Sequence, residues 1–368
     1  MNPMVEAYRL CDELPTRRTL DLETVLVAGA SGYIGGRLVP ELVARGYRVR
    51  VMVRSKVEAV SDRWSNCEVV VADALNPESL TAAMEGVHTV FYLIHSMLVG
   101  PKSFADADRS AARWVRESAE QQGVKRIIYL GGLGDKRVRL SPHLSSRMAV
   151  ADELALGSVP VTFLRAAIIL GSGSASYEMM NHLIRRLWVL PVPGWAKTRC
   201  QPIALRDVIK VLVGVLELPE TAGKIFDIGG PDILSYEELL KTHADVLGRR
   251  RKFIPSPLSS IPFFAMMTSW LTPVPAPITR CLMESVEHDV VCEGSDILEV
   301  LPFRRISCRE ALVLALSREE QDAVHSRWTD SYPPGYELAI KLSELSGVPT
   351  YTSTYSLVTE KSAEALFQ

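Results

Sequence analysis

Residues 24–46 read TVLVAGASGYIGGRLVPELVARG, and their pattern decides the fold. The apolar, β-branched run TVLVA has the signature of a buried strand. YIGGRLVPELVARG carries the spacing of an amphipathic helix closed by Gly46. Between them stand Gly29, Gly32 and Gly35 in the spacing G-x-x-G-x-x-G. Gly29 permits a tight turn, Gly32 lets the backbone approach a pyrophosphate, and Gly35 lets the helix pack closely on the strand. The helix then offers unpaired N–H groups and the positive end of its dipole to the phosphates. A glycine triplet alone specifies little. Set between a strand and a helix, at the head of a repeating unit, it predicts a dinucleotide site. Ser31, Tyr33 and Ile34 fill the same turn and count with the glycines as cofactor-binding residues.

Working outward, the same alternation recurs. RVRVMVR (48–54) is a second strand, and CEVVVAD (67–73) a third after an intervening helix. HTVFYLIHS (88–96) is a fourth, followed by a long polar helix over 103–122. KRIIYLGG (125–132) is a fifth, PVTFLRAAIIL (160–170) a sixth after a helix that opens at Ser141, and KIFDIGG (224–230) a further one. Strand and helix repeating at this pitch predict a doubly wound α/β Rossmann fold with a parallel sheet covered on both faces. Helical patterns at 175–190 and 205–218 flank the proline-rich LPVPGW, and Ser235 with Glu238 three residues on makes a capping box. Residues 255–287 are apolar and interrupted by prolines, which reads as a small, mostly helical lobe over the open end of the sheet. The domain reading is therefore an N-terminal extension (1–23), a dinucleotide-binding domain (24–232, with parts of the lobe interleaved from about 175), a C-terminal substrate lobe (233–322) and a tail (323–368) that starts new elements and resembles a truncated further domain.

The bulk composition excludes several classes. Of 368 residues, 41 are Lys or Arg and 43 are Asp or Glu, a net charge of -2 that advertises neither nucleic acid nor an anionic surface. The one basic run, Arg249-Arg250-Arg251-Lys252, lacks interleaved aromatics and reads as a solvated turn after a helix. Six cysteines without a C-x-x-C pair favour thiols in a reducing compartment. The seven histidines show no ligand spacing with Cys, Asp or Glu, so no metal is expected. The most hydrophobic window, 263–271, falls far short of the roughly 20 apolar residues a spanning helix requires. With no export signal visible, the expectation is a cytoplasmic protein.

The strand ends set the cofactor. An acid after the second strand would take both ribose hydroxyls, but Arg54 and Ser55 stand there. Arginine suits a 2′-phosphate, and one charge-assisted contact is worth about 1.5–3 kcal/mol, roughly a ten- to hundredfold preference. Arg37, in the first helical turn, would add a second contact. NADP(H) is therefore expected over NAD(H). Asp73 and Ala74 end the third strand, where a carboxylate can accept from the adenine amino group. Leu93, Ile94, His95 and Ser96 end the fourth, beside the ribose and nicotinamide.

GASGYIGGRLV, YLIHSM, IIYLGGLGD, LSPHLSSR, LRAAIILGSGSASYEM, CQPIALRDV and FDIGGPD together resemble the atypical short-chain dehydrogenase/reductase superfamily, in its NmrA-like and complex-I-accessory-subunit-like branches. The resemblance covers about residues 24–322, and the tail resembles the beginning of a DUF2867-type domain. It implies an NAD(P) cofactor, with backbone groups near Ala166 under the nicotinamide and Arg147 on the ribose. Catalytic members carry a tyrosine and, four residues later, a lysine; here those places hold His143 and Arg147. The hydroxyl such members place at the end of the fifth strand is replaced by Gly131 and Gly132.

Ser141 as N-cap and Pro142 as first helical residue put His143 in the first turn, with Arg147 on the same face. Arg147 cannot exchange protons. Its charge and the helix dipole both disfavour protonating His143, which as a neutral imidazole can still donate a hydrogen bond or relay a proton. Tyr129, Ser145 and Ser146 are further acid candidates, and Asp207 reads as a loop anchor. Tyr177, Met179, Met180, Trp195, Phe263, Phe264, Met266 and Met267 are expected to line an apolar pocket or else to form lobe core. Two functions follow. One is an NADPH-dependent reductase of an apolar carbonyl or conjugated alkene, working without the usual tyrosine and lysine. The other is a non-catalytic NAD(P)H-binding regulatory or scaffold module.

Overall fold

A computed structural model describes residues 10–18, 23–55, 62–94, 104–134, 141–293, 297–320 and 326–331, without the side chains of 104, 142, 143 and 318–320. The chain divides after Ser331, and every described residue belongs to the first unit. Its centre is a seven-stranded sheet built from β1 (Thr24–Ala28), β2 (Arg48–Val53), β3 (Glu68–Val71), β4 (Val87–Tyr92), β5 (Arg126–Gly132), β6 (Val161–Ala166) and β7 (Ile225–Ile228). The strands are all parallel and lie in the order β7-β6-β5-β4-β1-β2-β3. The chain steps outward from β1 to β3, returns to lay β4 beside β1, and then steps outward the other way. This reversal opens a crevice at the carboxyl ends of β1 and β4.

Alternation along each strand feeds two cores. Val25, Val27 and Val51 point to one face and pack with Leu38 and Leu42 of α1 (Gly35–Ala44). Leu26, Ala28 and Val90 point to the other and pack with Leu80 of α2 (Pro77–Ala83) and Val115 of α3 (Phe104–Gln121). That second face is completed by Val150 and Leu154 of α4 (Pro142–Ala155). Helices on both faces explain why the strands read as continuous apolar runs.

Beyond β6 follow α5 (Ala175–Arg186), the largely buried α6 (Leu205–Glu217) and α7 (Tyr236–Val246), whose Ser235–Glu238 capping box is present as the sequence predicts. The lobe consists of α8 (Ile261–Leu271) and α9 (Ala276–Glu284), and α10 (Cys308–Glu320) closes the described fold. The 160–170 run is split. β6 stops at Ala166, and Ile169–Leu170 leaves the sheet to pair with Ile203–Ala204. The helix expected to reach residue 190 ends at Arg186, because Val189–Val192 pairs in parallel with Lys252–Pro255. Between β2 and β3 the described connection is a single 3-10 turn, Asp62–Trp64, and residues 56–61 lie outside the description.

Both ends of the described chain tie back to α1. Cys11 is wholly buried in the first core, and Glu41 accepts from the Leu10 and Cys11 amides at 3.1 and 3.2 Å. At the other end, Ser326 is buried against Tyr33 and Arg37. Among the described residues no disulfide forms, and no helix is long and apolar enough to cross a membrane.

Candidate dinucleotide site

At the head of the crevice Gly29 has φ +96°, a conformation that only glycine adopts without strain, and a Cβ there would lie 2.8 Å from the Leu93 carbonyl oxygen. A Cβ on Gly35 would collide with the Gly29 carbonyl, so any side chain would lift α1 off β1. The Gly32 amide closes the turn on Gly29 O at 3.1 Å, and the Gly36 amide reaches Gly32 O at 2.8 Å. The Leu93 amide donates to Ala28 O at 2.9 Å and fixes the opposite wall. The result is a bare backbone cradle at a helix N-terminus, which fits a pyrophosphate. Ser31, Tyr33 and Ile34 are half-buried along it.

Met52 of β2 pairs with Ala28, so Arg54 stands exposed beside the glycine turn, with Ser55 half-buried behind it. Asp73 is exposed on the next rim. Its Oδ1 accepts from the Leu75 amide at 3.0 Å, and its own amide donates to Ser79 Oγ at 3.1 Å, with Ala74 buried below.

The structure corrects the reading of Arg37. Its guanidinium is buried and donates to Ser172 O and Ser326 O, each at 2.8 Å, and to Ser326 Oγ, while lying 4.5 Å from the Tyr33 ring centre. It fastens α1 to the loop after β6 and does not face a 2′-phosphate. The cation that does lie over the first turn of α1 is Arg63. Its guanidinium occupies the space a Gly36 side chain would fill, lies 5.0 Å from the Trp64 ring centre, and pairs with Asp330 at 3.9 Å. Nothing in the sequence marks Arg63, because it lies nine positions beyond Arg54 in an irregular connection; only Gly36, a second glycine in the helix start, hints that something must pass there.

At the nicotinamide end, Ser141 caps α4 by accepting from the Leu144 amide at 3.2 Å, and Pro142 opens the helix. The His143 backbone sits in that first turn; its side chain lies outside the description, as do His95 and Ser96. The Arg147 guanidinium, half-buried, donates to Leu130 O and to Ile94 O at 3.5 Å, and lies 5.0 Å from the Tyr129 ring centre. It therefore bridges the carboxyl ends of β4 and β5, at the place the sequence assigns to the ribose. A Cβ on Gly131 would lie 2.9 Å from the Tyr129 ring, and one on Gly132 2.8 Å from Leu144 Cδ2. The Tyr129 ring of β5 itself at Gly131, and Leu144 of α4 at Gly132, thus stand where a side chain at the strand end would go. The buried Ala166 accepts from the Leu133 amide at 2.8 Å.

Two acid candidates are engaged elsewhere. Tyr129 is buried, and its hydroxyl donates to Arg147 O at 3.1 Å. Burial pushes its phenol up, with the Arg147 charge acting the other way. Ser146 is buried and donates to Asp108 at 3.2 Å, whereas Ser145 is exposed. Asp207 is the anchor its sequence context suggests, accepting from the Ile306 amide at 2.9 Å. The proposed pocket residues do not converge. Tyr177 and Met180 belong to a core with Leu239 and Leu312, Phe264 is buried against Trp195, and Phe263 and Met266 face outward. Tyr177 also meets His243 edge-on at 5.2 Å, a buried imidazole that burial, and after it the Arg185 charge, pushes down to about 4.

The glycine cradle at the switch point of a parallel sheet defines an NAD(P)H-binding protein of oxidoreductase type. An NAD(P)H-binding family matches residues 29–158. Cinnamoyl-CoA reductase 1 of Oryza sativa subsp. japonica is 33% identical over 62% of this chain and 77% of its own. The mitochondrial NADH dehydrogenase (ubiquinone) 1 alpha subcomplex subunit 9 of Arabidopsis thaliana is 25% identical over 63% of this chain and 60% of its own, so the match spans less than two thirds of that relative. Among solved structures, the Citrobacter sp. triphenylmethane reductase complexed with NADP(H) shares the fold at TM-score 0.64 and 20% identity, covering 79% of this chain and 99% of that one. The chain belongs to the atypical short-chain dehydrogenase/reductase superfamily.

Proposed function

We propose that this protein is an NADPH-dependent reductase of an apolar carbonyl or conjugated alkene. The observation that supports the cofactor preference is a guanidinium group, and not an acid, just past β2, with a second guanidinium on the connection that follows. Arg54 is exposed just past β2, Arg63 lies over Gly36 in the first turn of α1, and the residue after β2 is not an acid. Two cations suit a dianionic 2′-phosphate and have little to offer a pair of hydroxyls. Asp73 on the adjoining rim suits the adenine amino group. When bound, the nicotinamide supplies the hydride.

The chain's own contribution at the reacting end is orientation. Arg147 holds the ends of β4 and β5 together and places a fixed positive charge beside the ribose, where it stabilises negative charge developing on a substrate oxygen. With Tyr129 and Ser146 engaged in internal hydrogen bonds, proton delivery falls to His143, to the exposed Ser145 or to solvent. A conjugated alkene tolerates that arrangement better than a ketone does, because its proton can arrive at carbon from water. The same two engaged hydroxyls favour the alternative, a cofactor-binding module that does not turn over.

Stopped-flow oxidation of NADPH and NADH against quinones, enones and aldehydes separates the two. Turnover that disappears in His143→Phe, with NADPH binding intact, supports a reductase with a substituted acid. Tight NADPH binding that weakens in Arg54→Glu, with no acceptor reduced, supports the module and overturns the reductase.

A further inference from the structure

The lobe carries an apolar surface that the cofactor site does not use. α8, with the sequence IPFFAMMTSWL, contains no charged residue in eleven positions. Its inward face is Ile261, Phe264, Ala265 and Thr268, all buried. A surface helix normally turns polar residues outward, but here the outward stripe is Phe263, Met266 and Trp270, and Trp270 is 75% exposed. A second tryptophan, Trp188, is 77% exposed just past the end of α5. Arg186 Nη1 donates to Leu271 O at 2.7 Å and joins the end of α5 to the end of α8, so the two tryptophans flank one junction. The exposed Ile254 and Leu258 extend the apolar area on the connection leading into α8.

The margin of this area is cationic. Arg185, Arg186, Arg249, Arg250 and Lys252 are exposed, and the Arg251 guanidinium lies 4.9 Å from the Trp188 ring centre. Lys252 pairs in register with Val189, which brings the basic turn alongside Trp188. Asp245, at the end of α7, is the exposed acid nearest in sequence to that turn. At 1.5 Å per residue α8 is about 16 Å long, too short to span a bilayer but suited to lying in its interface.

We infer that the outer face of α8, flanked by Trp188 and the Arg249–Lys252 turn, seats this protein on the surface of an anionic lipid bilayer. Apolar side chains enter the acyl boundary, tryptophans sit at headgroup depth, and the arginines meet the phosphates. The lobe that carries the seat also reaches the cap of α4. α9 follows α8 directly, and Ser285 Oγ, just past α9, lies 3.1 Å from Ser141 Oγ, the cap of α4. A bilayer-dissolved apolar substrate would then approach the crevice from the lobe side. That delivery role rests on the reductase reading, whereas the membrane seat does not.

Co-sedimentation with sucrose-loaded vesicles, without cofactor or substrate, tests the seat by itself. Wild type is expected to sediment with phosphatidylcholine vesicles containing one third phosphatidylglycerol, and at least about tenfold less with phosphatidylcholine alone. Trp270→Ser combined with Met266→Ser lowers the partition by more than about tenfold. Arg249→Glu combined with Arg250→Glu removes the preference for phosphatidylglycerol. Brominated acyl chains quench the tryptophan fluorescence of wild type, a readout that needs no variant to fold. Wild type remaining in the supernatant with both vesicles, unquenched fluorescence, or a serine variant that partitions like wild type each overturns the inference. So does a wild-type dimer in sedimentation velocity that Trp270→Ser makes monomeric, because the face would then belong to a second copy.

Discussion

At the glycine end of the crevice, where the proposed function seats the adenine half, the backbone shapes the surface: Gly29 and Gly35 leave a cradle without side chains, and Arg54 is exposed just past β2. At the nicotinamide end side chains have closed in. Leu144 and the stem of Arg147 lie over Gly132, the Tyr129 hydroxyl is bonded to Arg147 O, and the Arg147 guanidinium bridges two strand ends. The first region offers a bare backbone turn at a helix N-terminus, which suits a phosphate. In the second, two hydroxyls, those of Tyr129 and Ser146, are bonded within the fold. On the proposed function, binding and chemistry are separable within one crevice, and variants can probe each in turn.

The largest effect is expected from Gly35→Val. Its side chain must displace the Gly29 carbonyl or the helix, forfeiting at least two charge-assisted contacts of about 1.5–3 kcal/mol each. NADPH binding, followed by fluorescence titration, should weaken by more than about a hundredfold; wild-type affinity would remove the pyrophosphate from this turn. Next comes Arg54→Glu, expected to lower NADPH affinity roughly ten- to hundredfold while leaving NADH nearly unchanged. Equal losses for both cofactors would mean that Arg54 does not read the 2′-phosphate.

A third test lies away from the crevice and calibrates the others, because it should move stability without moving cofactor affinity. His243 is buried with its imidazole pushed down to about 4 from 6.5, so below pH 6.5 the unfolded chain takes up a proton that the folded chain refuses. Stability is therefore full above pH 6.5 and falls as the pH drops toward 4, by about 2 kcal/mol between pH 7 and 5. Urea unfolding of wild type and His243→Phe over this range should show the dependence flattened in the variant. The smallest effect is predicted for Tyr129→Phe: about 1 kcal/mol of stability from one buried hydrogen bond, with turnover unchanged. Loss of turnover in a well-folded Tyr129→Phe protein would show that the nicotinamide end has kept a proton-bearing group after all.

The strands, the glycine turn and the caps at Ser141 and Ser235 were legible because each rests on local rules: apolar runs, glycine spacing, a hydroxyl ahead of a helix. Arg37 was misread because its sequence neighbours place it in the first turn of α1, while its partners Ser172 and Ser326 are 135 and 289 residues away. Arg63 was missed for the converse reason, since no motif surrounds it and only the fold carries it over Gly36. The aromatic and methionine set was legible as apolar but not by direction: helix phase sends Phe264 inward and Phe263 outward, and whether a solvent-side apolar residue faces a pocket is decided by the neighbouring elements.

The bond between Arg37 and Ser326 also sets an order of events in folding. Arg37 belongs to α1 and Ser326 lies 289 residues further on, so the dinucleotide turn gains this anchor only after that whole stretch has been made. Contacts of such sequence separation form late and slowly. A nascent chain on the ribosome that has not yet emerged as far as Ser326 would hold a glycine turn whose supporting arginine still lacks two of its acceptors.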